Sequence, residues 1–463
     1  MFQEKMKTAM IKKYILSGAL AIAGLGVMSA QTNTYSGYFL DNFLYRYQIN
    51  PALGNDNNFV SFPGLGNMSI GTAGTVHLNK ILYNLDGKTV LFTNPYLPDN
   101  EVKKFGNSNK LGFNIRENIM AAGFKAFGGY NTITIGVVAN SQVGAPGSLM
   151  NMLRDGIKND TYDIKDFMVA ANSYAEIALS HSRDIKQVPG LRVGATFKFL
   201  VGVANVYGKF DKAHMTLGQD SWDIVSRGDI YVSGKGLEWE TKRNDNPGAG
   251  WDYVSGIKTD NFSAPNGFGA AVDLGATYKW RDFNFSLSIL DLGGIAWTDS
   301  QKASTNGERT FRTDDYTFTV DGDDDTFDDM KDKLATLYQL QPEEGNYKRS
   351  TLQGTTMNIG VEYELPYYRP LTFGLLNTTR MGGGYTWTEF RLSANVMPVK
   401  YISASANLVM GTYGVGFGWL LNVTSGKGFN LFLGMDRVPG KLTKQMVPLN
   451  SNFNFNFGIN FPF

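Results

Sequence analysis

Long runs in which apolar and polar residues alternate constrain this chain more than any other feature. Phe268, Ala270, Val272, Leu274, Ala276, Tyr278 and Trp280 interleave with Gly269, Ala271, Asp273, Gly275, Thr277 and Lys279. A period of two is a strand with one apolar face and one small or polar face. The two-residue turn Arg281-Asp282 leads to Phe283, Phe285, Leu287 and Ile289, set against Asn284, Ser286 and Ser288. The phase slips at Ile289-Leu290, which reads as a bulge that returns Asp291 to the polar face.

The same rhythm fills the C-terminal third. Met357, Ile359, Val361, Tyr363 and Leu365 oppose Asn358, Gly360, Glu362 and Glu364. Phe390, Leu392, Ala394 and Val396 oppose Glu389, Arg391, Ser393 and Asn395, and similar runs follow near 402–408, 413–421 and 429–435. Upstream, Phe113 and Ile115 begin one strand, Ile133, Ile135 and Val137 mark another, and further candidates lie near 67–80, 167–181, 191–203, 209–217 and 223–233. The tally is about fourteen strands, several longer than the roughly 5–6 residues usual in soluble sheets. A membrane-spanning strand needs about 9–11 residues with aromatics near its ends. Tyr278, Trp280, Phe283 and Phe285 bracket a turn in that way. The expected fold is all-β: a transmembrane antiparallel β-barrel, closed because a free sheet edge in hydrocarbon leaves backbone groups unsatisfied.

The final segment is the most specific local signal. Phe453, Phe455, Phe457, Ile459, Phe461 and Phe463 alternate with Asn452, Asn454, Asn456, Gly458, Asn460 and Pro462. On a soluble edge strand this uncharged aromatic stripe would invite aggregation. As a last barrel strand it faces lipid and presents an aromatic end to the barrel-insertion machinery, an expected partner during assembly.

Composition narrows the function classes. Charged residues are 18% and aromatic residues 13% of the chain, a balance that opposes disorder. Lys plus Arg number 43 against 42 Asp plus Glu, so there is no global pull toward nucleic acid. No cysteine is present, which excludes disulfides, thiolate catalysis and a cysteine lipid anchor. The three histidines are widely spaced, and nucleophile-elbow, phosphate-loop and zinc-protease motifs are absent. No catalytic role, metal or cofactor is expected. Ser180-His181 cannot be paired with other groups by spacing.

Residues 1–30 read as a signal peptide. Lys12 and Lys13 precede the apolar run from Tyr14 to Val27, and Ser29-Ala30 offers a cleavage point. Residues 31–66, rich in Asn, Tyr, Phe and Pro, lack sustained alternation and read as a plug or rim segment. The barrel is assigned to residues 67–463. Long loops are expected at 81–110, 142–166 and 235–266. An acidic loop and short helix are placed near 321–340. Asp321, Asp323, Asp325 and Asp332 have part of a calcium-loop spacing, but Thr326 stands where glycine is needed. A helix capped by Thr326, with Phe327, Met330, Leu334, Leu337 and Tyr338 as its apolar stripe, is the preferred reading.

Four motifs carry a family resemblance: Asn50-Pro51-Ala52-Leu53; Pro63-Gly64-Leu65-Gly66-Asn67 leading into Ser69-Ile70-Gly71; Lys198-Phe199-Leu200-Val201-Gly202; and Leu290-Asp291-Leu292-Gly293 before Trp297. Through them the mature chain resembles an uncharacterised family of outer-membrane β-barrels from Bacteroidota, distantly similar to FadL-type fatty-acid channels. The resemblance implies about fourteen strands, often with an N-terminal segment inside the barrel, and this agrees with the strand tally without coming from it.

The expected location is the outer membrane, with its lipid as surroundings. The leading functional expectation is a channel or transporter for a small, in particular hydrophobic, solute. The alternative is a non-transporting accessory or scaffold barrel in a surface-protein assembly or secretion complex, with a surface or periplasmic protein partner. Candidate lumen-facing residues are Asp273, Asp291, Glu362, Glu364, Glu389 and Arg391. Glu362 and Glu364 are read as wetted or paired with Arg391.

Overall fold

The computed structural model describes residues 33–98, 100–155, 160–165, 167–218, 221–244, 250–315, 332–382, 386–440 and 452–463. Fourteen antiparallel strands form a closed barrel. They are β1 (Asn67–Gly74), β2 (Ser108–Ala126), β3 (Gly129–Pro146), β4 (Met168–Asp184) and β5 (Leu191–Leu217). Then follow β6 (Gly267–Trp280), β7 (Phe283–Trp297), β8 (Thr355–Glu364), β9 (Leu371–Met381) and β10 (Trp387–Val399). The wall ends with β11 (Ile402–Gly411), β12 (Gly414–Thr424), β13 (Asn430–Arg437) and β14 (Phe453–Pro462).

Each strand pairs with the next, and β14 closes on β1 with Met68 opposite Phe457 and Ile70 opposite Phe455. The short strand Phe59–Ser61 extends the seam, with Phe59 opposite Pro462. Residues 62–66 between it and β1 bow out of the wall, leaving Phe62 and Leu65 exposed.

The pleat sorts the side chains as the alternation predicts. Phe268, Leu274, Phe285, Ile359 and Phe417 are exposed on the outside, while Asp273, Asn358, Glu389 and Arg391 are buried inside. Such an apolar belt matches hydrocarbon on its outer face and satisfies the backbone within the ladder. Among the described residues, no helix is long and apolar enough to cross a membrane.

One end of the barrel has short turns. Phe127 and Gly128 take the left-handed conformation between β2 and β3, with φ of 56° and 70°. Such φ values match the twist of a tight two-residue hairpin. Beside the β6–β7 turn the Arg281 guanidinium sits 4.9 Å over the Trp280 ring, and Phe283 lies 5.0 Å from Tyr363. These aromatics form the girdle at this interface.

The other end is elaborated. The register of β4 on β5 shifts by one residue near Gly202 and Ala204, and β5 runs on past the wall as a single strand of 27 residues. Its far half pairs with Trp222–Ser233, which pairs onward with Ser300–Ser304 and Arg309–Arg312. The stretches 191–203 and 209–217 are therefore one strand, and 223–233 stands outside the barrel wall. The bulge flips the face sequence in mid-strand, which makes one element read as two.

The expected long loops also carry structure. A hairpin joins Leu82–Leu85 to Lys88–Leu91, a helix α1 spans Gly147–Asp155, and a second hairpin joins Glu238–Arg243 to Asp252–Lys258. Val76, Phe92, Phe105, Leu153, Met215 and Phe311 share one apolar cluster that caps this end. Leu334 and Leu337, from the expected helix, join that cluster, and residues 332–336 are helical. The acidic stretch 321–330 lies outside the described residues, as does the leader 1–30.

Candidate functional site: a plugged lumen with a charged belt

Residues 33–55 pack against inward-facing side chains of the wall, and residues 56–58 reach its turn end. Two short 3-10 turns, Tyr35–Gly37 and Arg46–Gln48, fold the segment back on itself. Its aromatics meet the wall directly, with Phe43 edge-on to Phe432 at 5.0 Å and Tyr45 5.7 Å from Phe59. Three of its buried tyrosine hydroxyls find partners, which offsets their desolvation. Tyr38 donates to Ser286 at 2.9 Å, Tyr45 donates to Asn460 at 2.6 Å, and Tyr47 shares a hydrogen bond with Thr134 at 2.8 Å.

The motif Asn50-Pro51 rests on β5 and β6 where the wall has glycine. A Cβ at Gly194 would stand 2.2 Å from the Pro51 carbonyl oxygen, and one at Gly275 would stand 2.1 Å from Asn50 Oδ1. Asn50 also donates to the Leu287 carbonyl at 3.3 Å. A cleft of about 160 Å³ remains at the turn end, lined by Asp41, Arg46, Asn55, Arg192, Thr277 and Asn284 among others.

Buried charge encircles the inner end of this plug. On one side Arg116 pairs with Glu176 at 2.5 Å. Lys198 lies 2.8 Å from Asp273 and 2.7 Å from Asp291, and Arg380 reaches Asp291 at 3.8 Å. Opposite them, Glu389 accepts from both Arg391 and Arg437 at 2.8 Å, and Arg391 approaches Asp436 at 3.6 Å. The five cations and five anions of these pairs balance, so the belt is polar without a net sign. Buried charges survive in this way only when paired and hydrogen-bonded.

The second cluster grips the first turn of the plug. Asp436 accepts the backbone N–H groups of Tyr35 and Ser36 and the amide of Asn456, and the Arg391 guanidinium lies 5.9 Å from the Tyr35 ring. Asp436 occupies a bulge, where the register of β13 on β14 shifts between Gly434 and Arg437. The bulge aims its carboxylate at the first 3-10 turn, whose leading N–H groups lack intrahelical partners.

The structure places the six candidate residues in two ion clusters and two separate positions. Asp273 and Asp291 converge on Lys198, and Asp291, at φ 61°, sits in the bulge expected there. Glu389 and Arg391 join the second cluster. Glu362 is buried on the inner face of β8, opposite Asn284 and Gly374. Glu364 lies at the turn rim and pairs with Lys279. Neither Glu362 nor Glu364 is the partner of Arg391, which takes Glu389 and Asp436 instead.

Arg116, Glu176, Lys198, Arg380, Asp436 and Arg437 complete the belt. Arg116 lies between Asn114 and Asn118 and Arg380 follows Thr378 on its face, a polar phase that a reading could use, whereas Glu176 lies between Tyr174 and Ala178. Asp436 and Arg437 were hidden by their bulge. Ser180 and His181 face opposite sides of β4, and His181 lies 2.9 Å from Asn131 Oδ1 rather than beside a nucleophile.

Over residues 51–436 the sequence matches a family of unknown function, DUF5723. The chain belongs to that family. No curated protein matches the sequence. Among solved structures, the chain is similar to the Ralstonia pickettii toluene transporter TbuX at 10% identity, covering 90% of this chain and 92% of that one with a TM-score of 0.44. It is also similar to the Pseudomonas putida toluene transporter TodX, at 9% identity, 94% coverage of each chain and a TM-score of 0.38. A FadL homologue from Pseudomonas aeruginosa aligns at 9% identity over 94% of this chain and 99% of that one, with a TM-score of 0.34. The architecture of this DUF5723 member rests on its own strand ladder.

Proposed function

We propose that this DUF5723 protein is an outer-membrane channel held shut by its own N-terminal segment, and that it passes a small hydrophobic solute. The observation that carries the reading is the seating of residues 33–58. The segment fills a polar lumen through hydrogen bonds, ring contacts and the Asp436 carboxylate, with no disulfide available to fix it. A plug held by such contacts can shift when a competing ligand offers similar ones. The aromatic plug–wall contact around Phe43, Tyr45 and Phe432 favours a hydrophobic solute over an ion.

The apolar belt and the leader-like residues 1–30 support the outer membrane as location, and the aromatic last strand supports the barrel-insertion machinery as a transient partner. Toluene, named for TbuX and TodX, and a fatty acid serve as first test solutes. Purified protein in lipid vesicles is expected to speed solute entry, and Asp436→Asn, which weakens the grip on the plug tip, is expected to speed it further. Entry no faster than through protein-free vesicles, for both proteins, rejects the channel. The accessory-barrel reading then stands, supported by the cap and its branched sheet outside the wall.

A further inference from the structure

Glu117 breaks the chemistry of the outer wall. On β2, Asn114, Arg116 and Asn118 point into the lumen and are buried, so Ile115, Glu117 and Ile119 point out. Glu117 stands opposite Met68 on one side and Val137 on the other, and Met68 stands opposite Phe457, midway along β14. The carboxylate is thus near the middle of the apolar belt. It is half-buried, and its Oε1 is shut off from solvent with no hydrogen-bond partner. An ionisable group at that depth is costly and is retained where something answers it.

The wall beside it is also shaped. Residues 62–66 bow outward at the seam, held by Gly64 N–H donating to the Ile119 carbonyl at 2.8 Å. Phe62 and Leu65 are exposed on this loop, which bonds to β2 two residues from Glu117. The seam thus combines an outward carboxylate with an apolar loop.

The geometry points to a lateral docking face at this seam for a different membrane-embedded protein, one that presents a lysine or arginine to Glu117 within an apolar surface. Charge complementarity selects that occupant. Among the described residues, no outward lysine or arginine of this chain stands at the depth of Glu117, so a second copy has no cation to offer. The inference is independent of solute passage, since the face lies outside the lumen.

The test places a photo-cross-linking residue at Ile135, beside Glu117, and separately at Leu408, on a distant part of the wall, in protein in its native outer membrane. Ile135 is expected to give one discrete protein adduct and Leu408 none. Glu117→Lys should lower that adduct by about tenfold or more, equivalent to about 1.4 kcal/mol or more. The cross-linked segment should contain a lysine or arginine whose exchange for glutamate restores the adduct to Glu117→Lys. Heat-modifiable migration checks that each variant inserts. If Glu117→Lys does not insert, Glu117→Gln replaces it, with a reduced adduct expected. Lipid adducts alone at Ile135, an adduct indifferent to the Glu117 variants, or an adduct of twice the chain's mass each overturns the proposal.

Discussion

Lys198 is the residue on which one half of the charged belt depends. It is the shared cation of Asp273 and Asp291, and Lys198 and Asp273 are buried. Removing it leaves Asp273 without a cation and Asp291 with only the more distant Arg380 at 3.8 Å. Lys198→Met is therefore expected to destabilise the barrel by about 3–5 kcal/mol, the range for breaking a buried ion pair. The triple replacement of Lys198, Asp273 and Asp291 by neutral residues should recover much of that loss. Unfolding in urea from lipid vesicles reads both, and a loss below about 1 kcal/mol for the single variant would mean that the pair is solvated. Asp273 and Asp291 were legible from sequence because each keeps the polar phase of its strand. Their partner was not, because alternation tells which face a residue takes but not which strand lies across the lumen. Glu117 sat in plain view between Ile115 and Ile119, an acid at an apolar phase, yet only the placed wall shows that nothing answers it.

Among the strands, β14 combines the clearest sequence signal with the most exacting task. Phe455, Phe457 and Ile459 face lipid, while Asn454, Asn456 and Asn460 bond inward to Ser69, Asp436 and the Gly66 carbonyl. Its end is tied as well, since Phe463 N–H donates to Asn58 and the Pro462 carbonyl accepts from Gly428. Deleting Pro462-Phe463 should lower the amount of protein in the outer membrane while leaving export intact. Solute entry per inserted molecule should stay unchanged, as membrane fractionation and vesicle flux would show. Normal insertion with lost flux would instead assign this end to function. Most wall strands were legible for the same reason as β14: one face meets lipid and the other meets polar side chains. β5 was not, because its bulge exchanges the two faces in mid-strand. The hairpins and α1 of the cap were missed because short elements buried against one another need no long alternation.

The described molecule as a whole is a barrel packed around residues 33–55. Pinning residues 33–58 to the wall should abolish passage if the plug must move. Ser403 donates to Asn42 in the plug, and the chain has no native cysteine to confuse a new bridge. Asn42→Cys with Ser403→Cys, once oxidised, is expected to suppress solute entry, and reduction should restore it. Equal flux in both redox states, with the bridge verified by mass, would show that the solute passes without plug movement.

The seam between β1 and β14 carries a consequence for biogenesis. The first and last strands of the wall must find each other across nearly the whole chain, an entropically late event. Tyr45 of the plug is bonded to Asn460 of that last strand, and Phe59 lies opposite Pro462. Sealing the cylinder and locking its stopper are thus a single step. A chain stalled before its C-terminal strand arrives holds an unfastened stopper in an unsealed wall, so a leaky intermediate and an unfinished one are the same species, and surveillance of strand closure doubles as protection of the permeability barrier.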